Sequence, residues 1–371
     1  METLGVGLIG TGFMGKCHAL AWNAVRAVFA DLPRIRLAAL ADSEQGQAER
    51  KAQAFGFARA TRDWRSLLDD PRIDVVSVTT PNHLHAEMAV AALEAGKHVW
   101  CEKPMATSLA EAQLMLRAAE RSGKTAILGY NYIQNPAIRK IAGLLRTGAI
   151  GSVSHVRLEM DEDFMADPAA PFSLRSDAKS GYGALDDFGV HALSLLRVTL
   201  GQVKRVVAEM AMPYPTRRLA EGGERKVGTH DIATMLVEMR GGASGMVALN
   251  RAAWGRKGRI ALQIFGAQGT ITYDQERLNE LQIFRAGALA DEQGFATLLM
   301  GPAHPPYGDF VPAPGHQLGF NDLKVIECRE LIARILGKES WTLGFEEGFA
   351  IEKTLDAAAR SFAKSAWMAV E

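Results

Sequence analysis

The sequence predicts an α/β protein with an N-terminal doubly wound parallel sheet and a C-terminal α/β domain built on a large, mostly antiparallel open sheet. In residues 1–126, short apolar strands alternate with helical patterns, which is typical of a parallel sheet with helices on both faces. After Tyr130 the pattern changes to strands of period two. With 371 residues, the chain is also too long for one core. We therefore expect two domains, residues 1–126 and 127–371.

The elements of the first domain are predicted from apolar runs and stop signals. Continuous apolar segments predict strands buried on both faces, and Gly96 is a typical helix stop. In chain order we predict strand Leu4–Ile9, helix Phe13–Phe29, strand Ile35–Ala41, a helix from Asp42 to Phe55, edge strand Phe57–Ala60, a helical turn Trp64–Leu68, strand Val75–Thr79, helix His83–Ala95, strand His98–Cys101, helix Leu109–Ser122 and strand Ala126–Gly129.

A glycine-rich turn, GTGFMG at residues 10–15, joins the first strand to the first helix. Strand, turn and helix in this order form the Rossmann dinucleotide-binding pattern. In that pattern Gly10 permits the tight turn, Gly12 lets a pyrophosphate approach the backbone, and Gly15 lets the helix pack closely on the strand. A plain strand-to-helix turn without a ligand is the alternative.

Asp42 ends the second strand and predicts which dinucleotide binds. A carboxylate here accepts hydrogen bonds from the adenosine ribose hydroxyls and repels a 2′-phosphate. It lies beyond the usual spacing of about 20 residues, which a long first helix explains. Asp42 also suits a helix N-cap, and the two roles can coexist. Arg50 and Lys51 are at the wrong distance for a 2′-phosphate clamp, so the sequence favours NAD, with NADP as the alternative.

Polar clusters follow three of the predicted parallel strands. They are the glycine turn, the run Thr80-Pro81-Asn82-His83 and the run Glu102-Lys103-Pro104. Ligands of doubly wound sheets bind beyond the carboxyl ends of the strands, so we expect the three clusters to converge on one crevice. A lysine fixed there suits proton exchange with a substrate hydroxyl. The alternative is a surface ion pair between Glu102 and Lys103.

The second domain is predicted from period-two strands and a few helices. We expect helices beginning at Gly189, Asp322 and Glu346 to cover one face of the open sheet and a partner subunit to cover the other, which predicts a homodimer or homotetramer. The predicted elements are helix Pro136–Arg146, strand Val153–Met160, helix Gly189–Leu200, strands Arg205–Met212, Ile232–Met239, Ala243–Leu249, Ile260–Phe265 and Gly269–Tyr273, and helices Asp322–Leu336 and Glu346–Ala363.

The composition limits the classes of partner. Lysine and arginine together number 42, as do aspartate and glutamate, so no net charge draws the chain to nucleic acid or an anionic membrane. The apolar runs are too short for a membrane span, and no secretory signal opens the chain. Three scattered cysteines predict neither a disulfide framework nor a zinc site. We expect a reduced, cytoplasmic protein without a metal, whose partners are small molecules.

A second polar cluster precedes an apolar helix of the second domain. Asp187 and His191 are four residues apart, so they share one face if the helix has begun. A carboxylate and an imidazole placed in this way can bind a hydroxyl pair and relay its proton. A helix cap next to a core histidine is the alternative, and Asp186 competes with Asp187 for the role.

Together these motifs resemble the glucose-fructose oxidoreductase, inositol dehydrogenase and rhizopine catabolism (Gfo/Idh/MocA) family, in the order of that family and over nearly the whole chain. Residues 265–274 and 301–324 are further similar to its levoglucosan dehydrogenase-like members, which oxidise a ring hydroxyl of unphosphorylated pyranosides. Residues 130–136 depart from those members. The motifs are the glycine turn, Thr80–His85, Ala95–Val99, Glu102–Pro104 and the Asp187 and His191 pair.

The resemblance implies reversible hydride transfer between NAD(P) and a sugar or cyclic polyol, with Lys103, Asp187 and His191 as the catalytic cluster. The family often carries a Trp-Arg pair at the nicotinamide end, of which Leu174-Arg175 keeps only the arginine. The implied cofactor contacts are Gly10, Thr11, Gly12, Phe13, Met14, Asp42, Ser43, Thr80, Pro81, Asn82, His85, Glu102, Lys103 and Arg175.

A hydroxyl-rich substrate needs several hydrogen-bonding side chains, because an unpaired buried hydroxyl costs about 1–3 kcal/mol. Candidates for these contacts are Asn131, Tyr132, Asp163 and His316. The favoured function is NAD-dependent oxidation of a ring hydroxyl of a neutral sugar, anhydrosugar or cyclic polyol. Two alternatives are an NAD-dependent glycosidase that works by transient oxidation and a non-enzymatic cofactor-binding regulator.

Overall fold

The computed structural model describes residues 2–287, 289 and 291–371 and divides into two units. The first unit contains the residues up to Gln134 together with Gly319–Phe349. The second unit contains Asn135–Leu318 together with Ala350–Glu371. This differs from the predicted division at residue 126 in two ways, because the first unit extends to Gln134 and also includes the segment Gly319–Phe349.

The first unit contains the predicted Rossmann sheet, in which all neighbouring strands are parallel. Its central strands are buried on both faces, which explains their continuous apolar sequences. The strands are β1 (Thr3–Ile9), β2 (Arg34–Ala41), β3 (Ala60–Thr61), β4 (Val75–Val78), β5 (His98–Cys101) and β6 (Ala126–Leu128), in the order β3-β2-β1-β4-β5-β6. The helices are α1 (Phe13–Val28), α2 (Gln45–Phe55), α3 (Arg65–Leu68), α4 (His85–Glu94) and α5 (Leu109–Ser122).

The second unit contains the predicted open sheet, and every pair of neighbouring strands in it is antiparallel except β7 and β12. Buried and exposed residues alternate along its strands, so one face of the sheet is a core face. Its elements are α6 (Pro136–Arg146), β7 (Val153–Glu162), α7 (Val190–Leu200), β8 (Val203–Ala211), β9 (Thr216–Arg218), β10 (Glu224–Lys226), β11 (Ile232–Met239), β12 (Ser244–Asn250), β13 (Lys257–Gly266), β14 (Gly269–Asp274), β15 (Glu280–Arg285), β16 (Ala296–Leu299), α8 (Tyr307–Phe310) and β17 (Met368–Ala369). The sheet order is β16-β15-β14-β13-β7-β12-β11-β8-β17.

Several predicted element boundaries were wrong. The edge strand expected at Phe57–Ala60 is β3, which occupies only the end of that segment and the next residue. The short hairpin of β9 and β10 was missed because β10 has no buried residue and so no apolar alternation. The edge strands β16 and β17 were also missed, as was β15 next to β16, although Leu281 and Ile283 of β15 alternate as a half-buried strand should.

The helix expected at Asp322–Leu336 is α9 (Phe320–Ile335), which belongs to the first unit and packs against α1 there. Its buried face includes Lys324 and Glu327, so its interior contacts are ionic as well as apolar. The last helix, α10 (Phe345–Lys364), begins in the first unit and continues into the second. Among the described residues, no helix has both the length and the apolar character needed to cross a membrane.

Candidate functional site

The glycine turn has the geometry that each of its three glycines was predicted to provide. Gly10 has a positive φ of 93°, and its N–H donates to the carbonyl oxygen of Ala41 at 2.9 Å. A Cβ atom on Gly15 would lie 2.2 Å from the carbonyl oxygen of Gly10, so only glycine lets α1 pack this closely. A Cβ atom on Gly12 would meet no atom within 4 Å. The backbone at Gly12 is therefore accessible to a ligand.

The start of α1 fits a pyrophosphate. Gly12 is the N-cap residue and provides no side-chain hydrogen bond, so the first N–H groups of the helix are not capped by a side chain. These donors and the positive end of the helix dipole favour an anion. Phe13, the first residue of α1, is 70% exposed, and its ring stacks on Phe320 with centroids 5.8 Å apart.

Asp42 is bonded to the glycine turn and is not a helix cap. Its Oδ2 accepts hydrogen bonds from the backbone N–H of Thr11 at 3.0 Å and from the Thr11 hydroxyl at 2.5 Å. Ser43 lies beside it and is exposed. The N-cap residue of α2 is Glu44, so the alternative of an N-cap at Asp42 was wrong. The half-buried carboxylate is fixed next to the turn, where it fits an adenosine ribose.

His85 links the two loops that follow β4 and β5. Its Nδ1 lies 2.8 Å from the carbonyl oxygen of Pro104, and its Nε2 lies 3.0 Å from that of Thr80. Pro81 and Asn82 begin the short helical turn between these positions. The ring is fully buried, and this burial lowers the pKa of His85. A neutral imidazole carries one N–H, so the ring lies between the two loops and donates to one of these two carbonyl oxygens.

Glu102 directs its carboxylate into the interior of the first unit. Its Oε1 lies 2.5 Å from Nζ of Lys324 and 2.8 Å from Nε2 of His18, and Lys324 also donates to Glu327 at 2.7 Å. Burial alone would raise the pKa of Glu102, but Lys324 and the His18 hydrogen bond hold it well below its usual range. The alternative of an ion pair at the protein surface does not fit Glu102, which is only 4% exposed. Any contact of Glu102 with a cofactor would have to come from its backbone.

In the second unit, Asp187 and His191 flank the start of α7. Residues Leu185–Gly189 form one π-helical turn, so the regular helix starts only at Val190 and the assumed α-helical register does not yet apply at Asp187. Oδ2 of Asp187 accepts a hydrogen bond from Nη1 of Arg251 at 2.7 Å, and Nε of Arg175 lies 3.6 Å away. His191 is buried.

Asp186 has a different environment from Asp187. Its Oδ2 accepts hydrogen bonds from the backbone N–H groups of Tyr182 and Gly183, which closes the turn before α7. Burial raises the pKa of Asp186 to about 7. The Asp187 side chain retains 16% exposure and is paired with cations. These environments favour Asp187 for chemistry and give Asp186 a structural role.

The four candidate substrate residues have unequal environments. Asn131 is buried, and its Nδ2 has no hydrogen-bond partner among the described residues, which leaves a donor for a ligand. Tyr132 packs edge-on against Phe320. Asp163 is engaged by Lys257 at 2.5 Å, and the exposed His316 accepts the Tyr307 hydroxyl through its carbonyl oxygen.

Sequence reasoning missed Arg251 and Lys324, the two buried cations beside the predicted site residues. Arg251 lies 64 residues after Asp187, and Lys324 lies 222 residues after Glu102. Neither belongs to a local motif. The sequence offered one signal for each: Arg251 comes just after a predicted strand, and Lys324 lies inside an apolar helical pattern.

Comparisons with known proteins agree with the fold and the cofactor. The model of an oxidoreductase family with an NAD-binding Rossmann fold matches residues 4–130, and that of the GFO/IDH/MocA C-terminal domain matches residues 138–272. Levoglucosan dehydrogenase from Pseudarthrobacter phenanthrenivorans is 36% identical over 100% of this chain and 99% of its own. A solved structure of levoglucosan dehydrogenase in complex with NADH and levoglucosan has a TM-score of 0.95, with 37% identity and full coverage of both chains. Myo-inositol 2-dehydrogenase from Thermotoga maritima is 27% identical over 78% of this chain and 79% of its own.

Proposed function

This chain belongs to the GFO/IDH/MocA family of NAD-binding sugar and polyol oxidoreductases, and we propose that it oxidises a ring hydroxyl of an unphosphorylated sugar, anhydrosugar or cyclic polyol. One observation carries this proposal: a relative that is similar over the full length is by name a levoglucosan dehydrogenase, and a similar structure of a levoglucosan dehydrogenase was solved with NADH and levoglucosan. The first substrate to test is therefore an anhydrosugar.

We propose that Lys103, Asp187 and His191 are the catalytic residues. Bound NAD supplies the hydride acceptor. Either Lys103 or His191 takes the proton of the substrate hydroxyl, and Asp187 orients its partner. Support comes from Arg251, which holds the Asp187 carboxylate at 2.7 Å, and from the fixed loops around Lys103.

A neutral substrate is supported by the charges around Asp187. Arg251 lies between Asp187 and Asp231, and Arg175 lies beside Asp187, so these two cations are already matched by two acids of the protein. We further propose that Asn131, Tyr132, Asp163 and His316 contribute to hydroxyl recognition. The proposed cofactor contacts remain Gly10, Thr11, Gly12, Phe13, Met14, Asp42, Ser43, Thr80, Pro81, Asn82, His85, Glu102, Lys103 and Arg175, with NAD preferred over NADP.

We also propose a cytoplasmic location and a homodimer or homotetramer. The oligomer is supported by the face of the open sheet formed by β7, β13, β14 and β15. It carries a groove of about 480 Å³ lined by residues of both charges, including Arg157, Glu159 and Arg259. Mixed charges of this kind can pair with a second copy of the same surface.

The test is NADH formation, followed by ultraviolet absorbance, with levoglucosan, other anhydrosugars, glucosides, inositols and free hexoses, using NAD and NADP in parallel. We expect turnover of at least one substrate with NAD. Lys103→Ala should lower kcat by about 10²- to 10⁴-fold while the Kd for NAD changes little. The exposed Lys338 offers a matched control in the same unit, since Lys338→Ala should leave kcat unchanged.

Two outcomes would contradict the proposal. Retained turnover in Lys103→Ala would remove the catalytic assignment. If no substrate gives NADH although NAD binding is measured, the glycosidase and regulator alternatives are favoured. A cofactor that copurifies with the protein and is never released as NADH would favour the glycosidase.

A further inference from the structure

A guanidinium group in the second unit lies between two carboxylates. Arg251 is 1% exposed; its Nη1 donates to Asp187 at 2.7 Å, and its Nη2 donates to Asp231 at 2.7 Å and to the Thr229 hydroxyl at 3.3 Å. We propose that Arg251 is a positioning residue, which acts through Asp187 to hold that carboxylate in its working orientation. This inference rests on the proposed function.

Arg251 is itself rigidly placed. It directly follows β12, and its backbone N–H donates to the carbonyl oxygen of Asp231 at 2.9 Å. Its own carbonyl oxygen accepts from the N–H of Met165, also at 2.9 Å. A side chain anchored at both backbone groups and at one end of its guanidinium has little freedom left. Functional groups need such support, because small displacements of a reacting group lower the rate strongly.

The two carboxylates differ in exposure, and this difference indicates which one anchors Arg251 and which one Arg251 positions. Asp231 is fully buried, whereas the Asp187 side chain is 16% exposed. Asp231 therefore anchors the guanidinium from within, and Asp187 is the carboxylate that it presents. Arginine suits this place because its fork binds two acceptors in fixed geometry and it stays protonated at all working pH values.

The simpler reading is that Arg251 only stabilises the fold. The chain offers a matched control for that reading in Arg217, which is also 1% exposed in the same unit. Arg217 donates to backbone carbonyl oxygens, those of Asp167 at 2.9 Å and Met165 at 2.7 Å. A lysine at either position keeps the charge and loses the fork, so the loss of stability should be similar in Arg251→Lys and Arg217→Lys.

The test compares both variants by thermal unfolding, by NAD affinity and by steady-state kinetics on a substrate of the wild type. We expect Arg251→Lys to lower kcat about 10- to 100-fold with the Kd for NAD unchanged, and Arg217→Lys to leave kcat within about twofold. In a double-mutant cycle, Arg251→Lys should have almost no further effect on kcat once Asp187→Asn is present, because it acts through that carboxylate.

Equal kcat values in Arg251→Lys and Arg217→Lys would overturn the inference while the proposed function stands. Additive effects of Arg251→Lys and Asp187→Asn would overturn it as well, since Arg251 would then act by another route. An inactive wild type that still binds NAD would refute the proposed function and this inference with it.

Discussion

In the first unit the buried Lys324 lies between Glu102 and Glu327, and in the second unit the buried Arg251 lies between Asp187 and Asp231. Both cations bind two carboxylates, and both are supplied from a distant part of the sequence. They differ in what they touch. Lys324 binds the carboxylate of the residue next to Lys103, whereas Arg251 binds a proposed catalytic residue directly.

The difference also concerns protons. Burial raises the pKa of Glu327 to about 7 and lowers that of His18 to about 4, so the network of the first unit changes charge near neutral pH. The network of the second unit is built on an arginine, a residue type that is always charged in proteins. We infer that the lysine network mainly determines stability and its dependence on pH, and that the arginine network mainly determines turnover.

The largest expected effect is the loss of stability in Lys324→Met. This change leaves Glu102 as a buried, unpaired carboxylate, because Lys324, Glu102 and Glu327 are almost wholly buried. Breaking a buried pair in this way costs about 3–5 kcal/mol. We expect urea unfolding at neutral pH to show a decrease in the free energy of unfolding of this size.

The same experiment has a rescue and a control. The double variant Glu102→Gln with Lys324→Met should recover most of the loss, since residue 102 is then neutral and Glu327, whose pKa burial raises to about 7, can stay protonated. Lys338→Met removes an exposed lysine that lies 3.7 Å from Asp31, and it should change the free energy of unfolding by less than about 0.5 kcal/mol. A loss in Lys338→Met equal to that in Lys324→Met would remove the special role of the buried network.

A smaller effect is expected in the pH dependence of Glu327→Gln. A carboxyl whose pKa is raised in the folded state binds a proton that the unfolded chain lacks, so its stabilisation is complete below the ordinary value of 4.5 and is lost as the pH rises through 7. A glutamine has no carboxyl group to titrate, so the variant lacks this pH-dependent change in stability. Between pH 5 and pH 8, the free energy of unfolding of Glu327→Gln should therefore rise by about 2–3 kcal/mol relative to the wild type.

The comparison with the wild type isolates Glu327 from its neighbours. His18 has a lowered pKa and contributes a change of opposite sign, but it is present in both proteins. Glu102, whose pKa is lowered, stays charged throughout the range. Parallel stability curves for the two proteins would show that Glu327 does not titrate in this range.

The parts of the molecule that could be predicted from the sequence are those fixed by neighbours in the chain. Both ends of helix α5 were predicted to the residue. These ends are fixed locally, because the Ser108 side chain accepts the N–H of Glu111 and Gly123 ends the helix with a positive φ. The glycine turn was found from the local spacing of the motif and Asp42 from its place at the end of the second strand, and the match to the family confirms the NAD-binding domain.

The rest depended on contacts between distant residues. No local pattern predicts that α9 belongs to the first unit, because the apolar periodicity of α9 is equally typical of a helix that covers the open sheet. The π-helical turn at Leu185–Gly189 has no sequence signature, so the register of Asp187 and His191 was assumed to be α-helical. The inward direction of Glu102 follows from Lys324, which lies 222 residues away.

The smallest effect concerns Asp42, a carboxylate that, unlike Glu102 and Asp187, is held by the neutral donors of Thr11 and not by a buried cation. If its charge serves the ligand, Asp42→Ala should raise the KM for NAD about tenfold, or about 1.4 kcal/mol, and lower that for NADP. Thr11→Val is the matched control, because it removes the hydroxyl bond and keeps the carboxylate charge. Thr11→Val should weaken the binding of NAD and NADP to the same extent, since only the hydrogen bond that supports the turn is lost. A shift towards NADP in Thr11→Val as large as in Asp42→Ala would mean that the shape of the turn, and not the charge of Asp42, selects the cofactor.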